Sequence, residues 1–138
     1  SMPCEAVSYI NFAHDAPFWI SNLILRIYHD VRVGSLCYDW TSPENARKTA
    51  QCYFELFKRY GPLYQRKAPK IWDTKRLRLA VYLRLAAMPG AWKWWWAGAS
   101  FSCAKESIGA LVILFLGPRL GGMLLQWLKW IGLIRRYG

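Results

Sequence analysis

Two places in this 138-residue chain set an imidazole beside a carboxylate, His14 with Asp15 and His29 with Asp30. A histidine held by a carboxylate is a common general base. Both pairs read instead as features of helix ends. Four cysteines stand at 4, 37, 52 and 103, with no CxxC pair, and the two histidines complete no zinc spacing. They read as packed thiols rather than a metal site or a disulfide framework. The motifs G-x-S-x-G, G-x-G-x-x-G, H-E-x-x-H and the P-loop are absent. With only eight Asp and Glu in total, a carboxylate-based site has little to draw on. The sequence therefore predicts a chain that is not an enzyme, with no catalytic, cofactor-binding or metal-ligating set.

What it offers instead is cations beside indoles. The stretch WKWWW places Trp92, Lys93, Trp94, Trp95 and Trp96 within little more than one helical turn. A second group, Trp127, Lys129 and Trp130, lies near the other end of an apolar run. Tryptophan and snorkelling lysine concentrate at the headgroup level of a bilayer. The two groups read as membrane-interface belts. Upstream, Arg66, Lys67, Lys70, Lys75, Arg76, Arg78 and Arg84 form a basic run opposed only by Asp73. Near an anionic surface each such charge is worth about 1 kcal/mol. The run is a candidate contact for an acidic phospholipid such as cardiolipin. Its competing readings are a solvated face, ion pairs to a partner protein, or contact with RNA, for which aromatics interleaved with Lys and Arg also suit base stacking.

The distribution of charge supports a lipid environment. The net charge is +11, yet 54 % of residues are hydrophobic and 17 % aromatic, with nine Trp. Residues 1–60 balance six Lys and Arg against six Asp and Glu. From residue 61 onward thirteen basic residues face two acidic ones, Asp73 and Glu106, and the apolar residues concentrate there too. A nucleic-acid arm has the charge without the long aliphatic run, so nucleic acid is an improbable partner.

These groups need helices to position them. Asp15 and Pro17 open a predicted helix over 15–33, with Ile20, Leu23, Ile24, Ile27 and Val31 on one face. Thr41 with Glu44 suggests a capping box for a second helix over 41–60. Its buried stripe is Ala46, Ala50, Tyr53, Phe57 and Tyr60, and Gly61-Pro62 stops it. Residues 61–73 read as a proline-punctuated linker, and Asp73 as the cap of a helix over 74–88 closed by Pro89-Gly90. In that segment Leu77, Leu79, Val81, Leu83 and Leu85 alternate like a strand, but the composition and length favour helix.

The apolar segment admits three placements. Residues 107–128 would reach roughly 33 Å as a helix, against about 30 Å of hydrocarbon, and are the preferred single transmembrane span. That span carries one charge, Arg119, expected to be buried against neighbouring helices, and a kink at Gly117-Pro118. Residues 94–117 are the second placement, with Lys105 and Glu106 in its middle, and an in-plane amphipathic arrangement is the third. The positive-inside tendency would keep the basic run on the side from which the chain inserts, the matrix side in a mitochondrion.

The expected fold is all-α. An amphipathic helical extramembrane region over 1–89 precedes a Trp-flanked membrane segment with a basic end over 90–138, with no independent globular enzyme fold. In type this profile resembles the accessory subunits of mitochondrial inner-membrane complexes, which are short, basic and aromatic-rich, with one span. That likeness implies a structural accessory (supernumerary) subunit of a respiratory-chain electron-transport complex or ATP synthase. Its partners would be other subunits of a membrane protein complex and membrane lipids. The alternative from another class is a mitochondrial ribosomal protein binding rRNA, which accounts for the charge but not for residues 107–134.

Overall fold

The computed structural model describes residues 41–131. The helix expected over 15–33, Cys4, Cys37 and the final Arg135 and Arg136 lie outside the described residues. Those described form four helices and no strands: α1 (Pro43–Lys67), α2 (Pro69–Leu85), α3 (Ala91–Gly98) and α4 (Ala104–Trp130), with a 3-10 turn over Phe101–Cys103 before the last.

Helix α1 starts one residue later than a Thr41 cap requires. Ser42 is the cap, and its hydroxyl accepts from the Asn45 N–H at 3.3 Å. Pro43 takes the first helical position, and Glu44 pairs with Lys48 one turn on. Thr41 is instead buried, and its hydroxyl accepts from Gln126 of α4 at 3.0 Å. The expected stripe holds: Ala46, Ala50 and Phe57 are buried, with Tyr53 and Tyr60 partly so.

Gly61-Pro62 does not stop the helix, which continues to Lys67. An interior proline costs roughly 3 kcal/mol through its missing donor and ring clash. The offset comes from Trp72 of α2. Its ring meets Phe57 edge-on at 4.6 Å and stacks with Tyr64 at 6.5 Å. Each such aromatic pair adds about 0.5–1.5 kcal/mol to the burial itself. Gly61 lies between those two partners, and a Cβ there would sit 3.1 Å from the Trp72 ring. The glycine is therefore a seat for an indole.

The expected linker shrinks to Ala68, in a non-helical conformation that the following Pro69 enforces on its predecessor. Asp73 caps nothing; it lies inside α2 and pairs with Arg76. Leu77, Leu79, Ala80, Leu83 and Leu85 are all buried. At 100° per residue these positions cover several sides of the helix, because α1, α3 and α4 all pack on α2. That all-round burial explains the strand-like alternation.

Helix α2 also ends before Pro89-Gly90. The Met88 N–H reaches the Leu83 carbonyl at 2.8 Å and the Ala87 N–H reaches Arg84 at 3.1 Å. This is a Schellman closure, with Ala87 at φ 52° in the place that glycine normally takes. Helix α1 runs antiparallel to α2, since Ala46 packs beside Leu85 while Tyr64 meets Trp72. The first half of α4 runs parallel to α2: Cys103 Sγ donates to the Lys70 carbonyl at its start, and Arg84 reaches Leu114 further on.

Three changes test this packing by thermal unfolding. Ala87→Gly removes the left-handed strain and raises stability by about 1 kcal/mol. Gly98→Ala brings a Cβ to 2.9 Å from the Asp73 carbonyl oxygen and 3.0 Å from the Arg76 Cβ; such overpacking costs about 1–3 kcal/mol. Burial, with Tyr53 close by, pushes the Tyr82 hydroxyl up to about 12. Because the folded state holds this proton more tightly, its contribution is complete below pH 10 and is lost between about 10 and 12, roughly 2–3 kcal/mol in all. Tyr82→Phe should flatten that alkaline loss, and an unchanged profile would contradict the assignment.

Candidate membrane interface

By length and composition, one helix among the described residues is apolar enough to cross a membrane, Phe101–Trp130 with its leading turn. It is not straight. Gly117 has φ 83° and ψ −179°, a conformation essentially reserved for glycine. In a continuous helix, residues 113 and 121 would be about 12 Å apart. Here a Cβ on Gly121 would lie 3.8 Å from the Ile113 Cα. The bend is therefore sharp enough to fold one arm against the other.

The break follows from proline chemistry and is stitched from outside the helix. Pro118 has no N–H to give to the carbonyl four residues back, which is that of Leu114. The Arg84 Nε of α2 donates to that carbonyl at 3.0 Å. Gly117 is buried against the same guanidinium, at 3.6 Å from a Cβ placed on it. Gly121 and Gly122 are buried just beyond, Gly122 against Leu85 and the Thr41 carbonyl. Leu125 then packs with Ala46, Leu85, Ala86 and Ile113.

Each arm leaves an apolar face outside. On the first arm Ile108, Val112, Phe115 and Leu116 are exposed, Phe115 at 74 %. Beyond Lys105 no polar side chain shares that face. On the second arm the exposed stripe is Leu120, Met123, Trp127 and Trp130, with Met123 at 66 % and Trp130 at 83 %. Their spacing of three and four residues is that of one helical face. Arg119 and Gln126, seven apart, lie on its flank. Helix α3 extends the surface, because Trp92 meets Phe115 edge-on at 5.3 Å and Trp96 beside it is 73 % exposed.

The residues picked out from the sequence divide into two kinds. Trp92, Lys93 and Trp96 are exposed, as are Trp127 and Trp130, while Lys129 is half-buried. Trp94 and Trp95 turn inward: Trp94 packs on Phe54 and Phe57, and the Trp95 Nε1 donates to the Ser107 carbonyl at 2.9 Å. The tryptophan cluster thus lies alongside the first arm rather than off its end. In the basic run Arg66, Lys67, Lys70 and Arg78 are exposed. Lys75 lies over the Tyr53 and Tyr64 rings, Arg76 pairs with Asp73 and covers Trp72, and Arg84 is spent on the Leu114 carbonyl. Arg119, expected to be buried against neighbouring membrane helices, lies on the outer flank just after the break and is exposed within this chain by itself.

Sequence reasoning missed the Arg84–Leu114 contact and the Thr41–Gln126 tie. The first had a readable signal: a Gly-Pro inside an apolar helix frees a carbonyl four residues upstream of the proline. Among the described residues no group of His, Cys, Asp and Glu is placed to hold a metal ion.

Arg84 gives a direct test of its role. Arg84→Met leaves the Leu114 carbonyl without its charged donor and should cost about 1.5–3 kcal/mol of stability. Arg84→Lys should recover part of this. A headgroup-binding role alone would leave unfolding in lipid-free solution unchanged.

The chain matches no protein-family model, and neither the curated proteins nor the solved structures contain a significant match to it.

Proposed function

We propose that this chain is a structural, non-catalytic subunit of a membrane-associated assembly, specifically an accessory subunit of a respiratory-chain complex or ATP synthase in the mitochondrial inner membrane. The observation that carries the membrane part is the outer face of α4. Phe115, Leu116, Leu120, Met123, Trp127 and Trp130 are exposed on two consecutive arms, with Trp92 and Trp96 beside them. Soluble monomers rarely leave so many large apolar side chains uncovered on one element. The inner-membrane part rests on the sequence profile: a surplus of +11 on a short, tryptophan-rich chain.

In this reading the work is mechanical. Helices α1 and α2 form a clamp whose core is aromatic, and α4 gives the assembly an apolar surface of fixed shape. The exposed Arg66, Lys67 and Lys70 gather where α1 turns into α2. They would attract anionic headgroups such as those of cardiolipin, at about 1 kcal/mol per charge.

The test is extraction followed by native electrophoresis of mildly solubilised mitochondria. The chain should stay with the membrane pellet in alkaline carbonate and co-migrate with a large inner-membrane complex. Phe115→Lys together with Met123→Lys should reduce the assembled fraction about tenfold or more, since each places a charge on the apolar face. Release by high salt with co-sedimentation on ribosomal RNA would favour the ribosomal alternative. Migration at its own mass would contradict both.

A further inference from the structure

We infer that α4 enters an anionic bilayer as a bent wedge in a single leaflet, with Lys105 and Lys129 on the same side of the membrane. This rests on the membrane reading above and adds its topology.

Three observations lead there. The first is length. Residues 104–116 and 118–130 flank the break at Gly117. Thirteen helical residues reach about 20 Å, and the hydrocarbon core is about 30 Å thick. Neither arm alone crosses, and the bend stops them from adding end to end. The second is the backbone. Irregular structure within hydrocarbon is tolerated only where protein satisfies it. Gly117 is buried and the orphaned Leu114 carbonyl takes the Arg84 donor at 3.0 Å. The bend therefore belongs to the folded chain, and straightening it would discard that contact together with the packing of Leu125 on Ala46 and Leu85.

The third is where the charges fall. Lys93, Lys105 and Arg119 are exposed at the margins of the apolar surface and outnumber Glu106, the exposed acidic residue beside Lys105. In a straight span Arg119 would sit deep in the hydrocarbon. On a helix lying in the interface, its place on the flank beside Gln126 lets the guanidinium snorkel to the headgroups. Gln126 is anchored to Thr41 at 3.0 Å, so that flank is turned towards the α1 terminus. A basic margin around an apolar face matches an anionic leaflet in both respects. A second copy of this chain would bring the same positive margin and repel it.

The experiment uses the full chain in vesicles of phosphatidylcholine with an anionic phospholipid. Cys4, Cys37, Cys52 and Cys103 are replaced by Ser, and Lys105→Cys and Lys129→Cys are introduced together. A membrane-impermeant maleimide is added, and intact mass is read molecule by molecule. The wedge predicts two labels or none on each molecule, whatever the orientation of insertion. One label per molecule, with the second appearing only in detergent, would mean a crossing helix; it would overturn the wedge and leave the membrane reading standing. Failure to float with vesicles would overturn both, and self-association without lipid would assign the face to a second copy. Because the cysteine replacements could disturb folding, Phe115→Lys and Met123→Lys are compared in the native background. Either should lower vesicle partitioning about tenfold or more, whereas Glu55→Lys on the exposed side of α1 should not lower it.

Discussion

The Arg84 guanidinium holds a carbonyl that the sequence itself deprives of a partner. Proline at 118 removes the donor that Leu114 would normally receive, and glycine at 117 lets the chain turn where no other residue would. An orphaned carbonyl in an apolar setting costs about 1–3 kcal/mol, enough to unseat a marginal helix packing. Supplying the donor from α2 makes the bend a fixed joint. The positions of both arms, the burial of Gly121 and Gly122 and the tie between Gln126 and Thr41 all follow from that joint. So does the direction in which the apolar stripe faces.

Helix α2 carries that guanidinium because it is the axis of the molecule. Its leucines meet neighbours on most sides, and its Trp72 fills the notch at Gly61. The aromatic residues therefore serve two purposes that composition alone merges. Trp72, Trp94 and Trp95 build the interior, where Phe57 and Tyr64 receive them or a backbone carbonyl takes the indole N–H. Trp92, Trp96, Trp127 and Trp130 remain outside, on the surface proposed to meet lipid. The basic residues divide likewise: Arg76 and Arg84 hold the fold, while Arg66, Lys67, Lys70 and Arg78 face outward.

The helical content, the buried stripe of α1 and the bend at Gly117-Pro118 were legible in the sequence, because each rests on short-range periodicity or on residue-specific backbone limits. The same logic failed at Gly61-Pro62. There a local helix stop lost to Trp72, which is eleven residues away and visible only once α2 is folded back. Asp73 looked like a cap because charge and position suited one; the cap was unnecessary once Pro69 had started the helix. The basic run looked uniform because sequence spacing cannot tell an arginine facing water from one reaching for a carbonyl. Arg119 was placed within a kinked span because the sequence marks where the helix bends but not how sharply, and a break at Gly117 this sharp leaves it on an exposed flank.

The bend itself is open to direct measurement, by the distance between spin labels at positions 105 and 129 in the lipid-bound chain, from pulsed electron resonance. A continuous helix separates these positions by about 36 Å. The joint held by Arg84 predicts a single narrow distribution below about 30 Å, broadening in Arg84→Met. A distribution centred near the straight-helix length would contradict the account, because it would mean that lipid straightens α4 and breaks the contact with Arg84.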